Sequence, residues 1–148
     1  MKEINTSDLN DLNELSHYLG SNLEWVQGAG GNTSLKDDQN LFVKSSGYWL
    51  SDAKNSNIFS QLDLKILFDL IDKNEEDLTS AQVNQKKSMR PSIETSLHAL
   101  MPHKYVIHVH STNIIANAVF NDSNKNLEEK LKDFNWKLIP YVRPGLPL

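Results

Sequence analysis

The sequence contains no cysteine, no cluster of positive charge and no long apolar run, and each absence excludes a class of function. With no cysteine among 148 residues, the chain has no disulfide framework, no thiolate nucleophile and no cysteine metal site. Its net charge of −4 and the scatter of its lysines and arginines argue against a nucleic-acid partner, whose phosphates require a basic surface.

The apolar residues make up 39% of the chain and are spread along its whole length. The first residues, MKEINTSDLNDLNEL, lack the apolar core of a signal peptide, and no run approaches the roughly 18 apolar residues of a membrane span. The length suits one globular domain with a real core and is short for two. We therefore expect one domain over residues 1–148, located in the cytoplasm, with no membrane partner.

The most informative stretch is RPSIETSLHALMPHKYVIHVHS at residues 90–111, which predicts a helix followed directly by a strand. Pro91 suits a first helical position because its missing N–H would be unpaired there. An apolar stripe at helical spacing follows, formed by Leu97, Leu100 and Met101, and Pro102 ends the helix. Residues 104–110 are rich in β-branched and aromatic side chains, which favour a strand.

Two histidines, His108 and His110, stand two positions apart on that predicted strand. Side chains at this spacing project from one face of a strand, and neutral imidazole is the commonest side-chain ligand of transition metals. The pair predicts half of a metal site, with incidental histidines as the alternative. Glu94 falls near the predicted helix start, where a carboxylate contributes less than about 1 kcal/mol through the helix dipole. It could equally be directed at whatever the histidines bind.

Two loops could hold an anion. Gly-Ala-Gly-Gly at residues 28–31, followed by Asn32, frees the backbone to approach a ligand and offers successive N–H groups. Ser-Ser-Gly at residues 45–47 offers hydroxyls and a glycine. Each loop has a plainer interpretation, as a segment leading into a hairpin or as a simple turn. Neither is a P-loop or a dinucleotide fingerprint, because the Gly-Lys-Ser/Thr ending and the third glycine are absent.

Elsewhere the pattern of apolar and turn residues predicts scaffold. The predicted elements are a helix over residues 7–19 capped by Thr6 or Ser7, a hairpin of residues 33–36 and 41–44, a short strand and helix within 58–71, an exposed loop over 74–89, helices over 112–120 and 127–134, and a strand over 136–142.

The ordered set GAGGNTS, VKSSG, PSIET, HVHS and IPYVRPG resembles the class II aldolase/adducin family. Within it, residues 90–111 are most similar to sugar-phosphate aldolase domains of the rhamnulose-1-phosphate aldolase type, including those fused to a dehydrogenase. The resemblance implies an α/β fold, a three-layer α/β/α domain with a central, largely antiparallel sheet. It also implies a homo-oligomer, a tetramer with active sites at subunit boundaries.

The resemblance also assigns roles to residues. His108 and His110 match two of three histidines that bind Zn²⁺ or another divalent transition metal, and Glu94 matches an acid/base carboxylate. Tyr141 falls near a tyrosine that some members offer to a neighbouring subunit as a proton donor. Positions around the substrate phosphate are matched by Asn32, Ser46, Gly47 and Ser92. The implied function is a zinc-dependent lyase that cleaves a ketose 1-phosphate, a small phosphorylated sugar, into dihydroxyacetone phosphate and an aldehyde.

Two departures from the family pattern affect this expectation. Ile93 stands where several members have a second serine, so one phosphate contact is lost or the substrate differs. The third metal-binding histidine lies beyond the final PGLPL, and His17, His98 and His103 are unconvincing replacements. Since a catalytic zinc usually has three protein ligands, we expect a domain incomplete at its C-terminus that binds metal weakly and catalyses poorly.

Other functions of the same pattern stay open. A pentulose-phosphate epimerase or a thiosugar-phosphate dehydratase of the same family would use the same metal pair. An adducin-like, non-enzymatic scaffold would keep the fold and lose the metal.

Overall fold

The structure, a computed structural model, describes residues 5–84 and 89–148. Its sheet consists of strands β1 (Asn32–Lys36), β2 (Asn40–Lys44), β3 (Phe59–Asp63) and β4 (Tyr105–His108). The strand order is β3-β2-β1-β4 and every neighbouring pair is antiparallel. The helices are α1 (Thr6–Gly20), α2 (Leu64–Asp72), α3 (Thr95–Leu100), α4 (Thr112–Ala118) and α5 (Ser123–Lys130), with 3-10 turns at Leu50–Lys54 and Thr79–Ala81.

Two separate apolar clusters cover the two faces of this sheet. On one face α1 and the first 3-10 turn pack over a cluster formed by Leu12, Val26, Leu35, Leu50, Ala53, Ile58 and Phe59. On the other face α2 and α3 pack over Leu41, Val43, Leu62, Leu64, Leu67, Leu78, Ala81 and Ala99. Helices therefore lie on both sides of an antiparallel sheet, which confirms the three-layer α/β/α fold class expected from the sequence.

The first helix and the hairpin follow the sequence pattern closely. Helix α1 buries Leu12 and Leu19, as the leucine spacing predicts, but its N-cap is Asn5, whose side chain accepts from the Ser7 N–H at 3.1 Å. The predicted cap at Thr6 or Ser7 was therefore wrong by one or two positions. In the hairpin, Asp37 Oδ1 accepts two backbone N–H groups of the turn, which fixes the register of β1 against β2.

The helix predicted from Pro91 was wrong in its start and in its buried face. Pro91 instead forms an isolated antiparallel bridge with Ser45, so the chain is still extended there, and α3 begins at Thr95. The predicted apolar stripe is not buried, since Leu100 is 61% exposed and Leu97 and Met101 are only partly buried. The buried side chains of α3 are the small and polar ones, Thr95, Ser96, His98 and Ala99.

Three further segments differ from the sequence prediction. Residues 136–142 form neither strand nor helix, and the helix expected over 127–134 lies earlier, at Ser123–Lys130. The expected exposed loop over 74–89 contains a 3-10 turn and buries Leu78 and Ala81, while residues 85–88 lie outside the described part of the chain. Among the described helices, none is long and apolar enough to cross a membrane.

Candidate active site

The register between β1 and β4 places Asn32 directly opposite His108. Since side chains alternate along a strand, Asn32, Ser34 and His108 lie on one face of the sheet, the face that α3 covers. Tyr105 and Val109 pack instead with the cluster under α1. The predicted alternation along this strand is confirmed, and it produces a polar patch beneath α3.

His108 and His110 are brought together as the spacing predicts. Their ring centroids lie 4.9 Å apart with an interplanar angle of 61°. Although β4 ends at His108, the chain beyond it stays paired, since the His110 N–H donates to Trp25 O at 2.8 Å. This pairing draws the glycine loop against the two histidines.

The glycine loop can approach the histidines only because it lacks side chains there. A Cβ at Gly30 would lie 2.8 Å from His110 Nδ1, and a Cβ at Gly31 would lie 2.8 Å from His108 O. Gly31 also has a φ of +63°, in the left-handed region that other residues rarely adopt. The glycines predicted to approach a ligand therefore have a more immediate role, which is to let their loop pack on the histidine pair.

Glu94 immediately precedes α3, and its carboxylate bridges Asn32 on β1 and His108 on β4. Its Oε2 accepts hydrogen bonds from His108 Nδ1 and from Asn32 Nδ2, each at 2.6 Å. Burial raises the pKa of the Glu94 carboxyl, but the hydrogen bonds from His108 and Asn32 outweigh burial, and the pKa lies below its ordinary value. The carboxylate is therefore held ionised against the histidine, and the alternative of a mere helix-start residue does not describe these contacts.

His98 completes the polar patch. The side chain is fully buried, at 0% exposure, with Nε2 bonded to Asn32 Oδ1 and Nδ1 lying 2.7 Å from Ser34 Oγ. Burial, reinforced by the charge on His108, lowers the pKa of the His98 imidazole to about 4. The sequence presents this histidine only as an unconvincing metal ligand. The period of α3 gave no sign that it lies inside.

The predicted phosphate-binding residues come together in part. Asn32 Nδ2 donates to Ser92 Oγ at 3.1 Å, so both line the same patch as Glu94. The Ser46 N–H donates to Arg90 O at 2.8 Å, which places the Ser-Ser-Gly turn beside the segment that carries Ser92. Gly47 lies at the exposed tip of this turn.

Lys44 is a site residue that the sequence analysis missed. Its side chain is buried, at 2% exposure, and Nζ donates to Ala29 O at 2.9 Å and Tyr48 O at 2.7 Å. The ammonium thus joins the glycine loop to the Ser-Ser-Gly turn. Burial lowers the pKa of Lys44, and the charge on Glu94 partly restores it. The lysine stands in the VKSSG motif, but only the fold reveals that its head group turns inward between two loops.

The remaining predicted residue, Tyr141, is not brought to this patch. Its side chain is 92% exposed in a segment without helix or strand. Across residues 5–84 and 89–148, no three His, Asp or Glu side chains are arranged as a ready metal site. The described residues therefore offer two adjacent imidazoles and a neighbouring carboxylate, which suit a transition metal in chemistry but fall short of a closed ligand set.

Comparison with known proteins agrees with this architecture. The family model for the Class II Aldolase and Adducin N-terminal domain matches residues 10–148, nearly the whole chain. The chain belongs to this family. The resemblance drawn from GAGGNTS, PSIET and HVHS is confirmed.

Similarity to one named protein is consistent with the assignment. The chain is 35% identical to Uncharacterized oxidoreductase YuxG of Bacillus subtilis (strain 168), over 90% of this chain and 21% of that protein. The chain therefore spans about a fifth of the relative's length. The relative's name fits the expected similarity to dehydrogenase-fused members.

Solved structures share the fold. The N-terminal Class II Aldolase domain of a conserved protein from Thermoplasma acidophilum is 28% identical and superimposes with a TM-score of 0.78, covering 98% of this chain and 73% of that one. YgbL from Escherichia coli, at 18% identity and a TM-score of 0.54 over 78% of this chain and 49% of its own, shows likeness of fold alone.

Proposed function

We propose that this class II aldolase domain carries the metal-binding and acid/base half of a sugar-phosphate lyase that cleaves a ketose 1-phosphate into dihydroxyacetone phosphate and an aldehyde. The observation that carries the proposal is the contact of Glu94 with His108, 2.6 Å between Oε2 and Nδ1, beside a second imidazole 4.9 Å away. A carboxylate held against paired imidazoles is what metal-assisted proton transfer requires.

The donor set suits zinc or a similar divalent metal. With Nδ1 of His108 engaged by Glu94, Nε2 is the nitrogen left for a metal. Metal-binding histidines commonly donate their other ring N–H to a carboxylate in this way, which fixes the tautomer and strengthens the ligand. We propose that His108 and His110 are two ligands and that the third comes from outside the described residues, since those residues form no group of three and a catalytic zinc usually has three protein ligands.

When bound, the metal supplies Lewis-acid stabilisation of the charge that develops on the substrate's carbonyl and hydroxyl oxygens as the C–C bond breaks. The chain's own residues handle the protons. Written in the condensation direction, the reverse of cleavage, the ionised Glu94 removes a proton from the carbon of dihydroxyacetone phosphate, and Asn32 steadies the carboxylate through its 2.6 Å hydrogen bond. Tyr141, exposed as a residue offered to a second copy would be, donates its phenol proton to the aldehyde oxygen as the C–C bond forms, and the proton on Glu94 returns to the Tyr141 phenolate through water. Cleavage runs the same proton transfers backwards.

Phosphate binding is assigned to the two loops and to Ser92. Ser46 and Gly47 offer hydroxyl and N–H donors on a turn that neighbours Ser92, and N–H groups of this kind bind phosphate without a basic cluster. Lys44 supplies the positive charge, because its buried ammonium lies between the glycine loop and the Ser-Ser-Gly turn. Removal of water from this region strengthens the attraction between an ammonium and a phosphate.

The test is release of dihydroxyacetone phosphate from a panel of ketose 1-phosphates by the zinc-loaded chain, followed through a coupled NADH assay. We expect slow but measurable release, reduced about 100-fold or more in Glu94→Gln, which keeps the shape of the side chain but cannot exchange the proton. Glu14→Gln is the matched control, because Glu14 pairs with Lys54 on the surface. No release from any substrate, or equal release by Glu94→Gln, would contradict the proposal.

A further inference from the structure

The contacts of His98 form a chain of hydrogen bonds that ends on Glu94. Asn32 stands in the middle, with Oδ1 bonded to His98 Nε2 and Nδ2 donating to Glu94 Oε2 at 2.6 Å. The far end of the chain is Ser34 Oγ, 2.7 Å from His98 Nδ1. Four side chains on β1 and around α3 are thus linked in series beneath the helix.

The direction of every bond in this chain follows from the carboxylate. An ionised Glu94 can only accept hydrogen bonds, so the amide group of Asn32 must present its NH₂ to it. The carbonyl oxygen of Asn32 then faces His98, and an amide oxygen can only accept. Nε2 of His98 must therefore carry the proton.

The neutral state of His98 determines the last hydrogen bond of the series, the one to Ser34. An imidazole that is protonated at Nε2 and neutral has a bare Nδ1, which accepts the hydroxyl proton of Ser34. Complete burial keeps the ring neutral, because water is not available to solvate a charge. Every polar atom of the series then faces a partner of the correct kind, and a rotated Asn32 amide would place two acceptors face to face at Glu94 and two donors face to face at His98 Nε2.

We propose that His98 is a positioning residue that fixes the Asn32 amide in the orientation in which its NH₂ holds the Glu94 carboxylate. The role follows from burial and geometry, because His98 lies against Asn32 on the side opposite Glu94 and touches neither of the paired histidines through a hydrogen bond among the described contacts. This inference rests on the proposed function only for its effect on catalysis. The arrangement of the amide is a property of the folded chain itself.

The first test is therefore spectroscopic. In ¹⁵N-labelled chain, we expect the His98 ring to give the nitrogen pattern of the Nε2-protonated neutral tautomer, with a slowly exchanging Nε2 proton. In the wild type, the Asn32 NH₂ resonances should be shifted from free-amide positions, and in His98→Leu they should return toward those positions. Hydrogen exchange of the Asn32 NH₂ protons should be about tenfold faster in His98→Leu, because that is the factor for losing a hydrogen bond of ordinary net strength.

Two variants serve as controls. His98→Gln carries an amide N–H that can reach the position of Nε2, so it should restore the Asn32 resonances toward their wild-type positions. Ser96→Ala alters another buried residue of the same helix and should leave the Asn32 resonances unchanged, which separates loss of the hydrogen bond from general loosening of α3. If His98→Leu does not fold, the wild-type tautomer and His98→Gln still decide the matter.

The second readout is kinetic, in the dihydroxyacetone phosphate assay. We expect His98→Leu to lower kcat about tenfold or more while KM changes little, because the hydrogen bond it supports orients the acid/base group, and we expect His98→Gln to recover most of kcat. An Nδ1-protonated or charged His98 ring, or Asn32 resonances that are the same in His98→Leu, would overturn the positioning role. An inactive wild type with the expected spectra would instead overturn the proposed function and leave the positioning role standing.

Discussion

The buried histidine makes the stability of the chain depend on pH in a way that one substitution can isolate. The ordinary pKa of 6.5 falls to about 4 for His98 in the folded state because of burial, reinforced by the charge on His108. Between these two pKa values, His98 is protonated in the unfolded chain and neutral in the folded chain. The contribution of His98 to stability is therefore complete above pH 6.5 and is lost as the pH falls toward 4.

The magnitude follows from the two pKa values. A difference of 2.5 units corresponds to about 3 kcal/mol in full, and proton linkage gives a loss of about 2 kcal/mol between pH 7.5 and pH 5.0. The titratable groups that face the ring are His108 on β4, Glu94 before α3 and Lys36 on β1. These groups are shared with a variant at position 98, so their own titration largely cancels in a comparison.

The assay is urea unfolding at pH 7.5 and pH 5.0, followed by tryptophan fluorescence, for the wild type and His98→Gln. Glutamine does not titrate, so the free energy of unfolding of the wild type should fall by about 2 kcal/mol more than that of the variant over this range. Equal losses in the two proteins would refute the reasoning, because they would mean that His98 takes up its proton equally in the folded and unfolded chains.

Two further predictions concern the loops around the histidines. Gly30→Ala should weaken zinc binding about tenfold or more, because its Cβ would lie 2.8 Å from His110 Nδ1 and a displaced ligand typically costs that much affinity. Gly28→Ala is the control, because a Cβ there meets nothing within 4 Å. Its φ of +56° should make the alanine cost about 1 kcal/mol of stability, with zinc affinity unchanged. Equal zinc affinity in the two glycine variants would contradict the packing of the loop on the histidines. Lys44→Met should lower the free energy of unfolding by about 2 kcal/mol in urea, since it leaves two carbonyls without their charged donor. Lys54→Met removes only a surface ion pair and should cost less than about 1 kcal/mol, so a similar loss in both lysine variants would argue against the inward-facing ammonium.

Local signals in the sequence were enough for part of the fold. The leucine spacing of α1 and the polar turn between β1 and β2 act within a few residues, so the pattern predicts both elements. The period of two along β4 likewise predicts that His108 and His110 share a face, since side chains alternate along a strand. These elements depend on neighbours in sequence more than on neighbours in space.

The errors arise where distant residues decide the outcome. Pro91 favours a helix start by itself, but its bridge to Ser45, more than 40 positions earlier in the sequence, keeps the chain extended. The leucines of α3 predict an inward apolar face, but His98 is buried instead because it hydrogen-bonds to Asn32 and Ser34 on β1 beneath the helix. The sequence pattern of α3 alone does not reveal these partners on β1.

The central claim, that His108 and His110 bind a divalent metal beside Glu94, is tested most directly by zinc titration calorimetry of the chain and two variants. The wild type should bind zinc at least about tenfold more tightly than His108→Ala/His110→Ala. His103→Ala, which removes an exposed histidine from the turn before β4, should match the wild type. Equal zinc affinity in the wild type and the double variant would contradict the account.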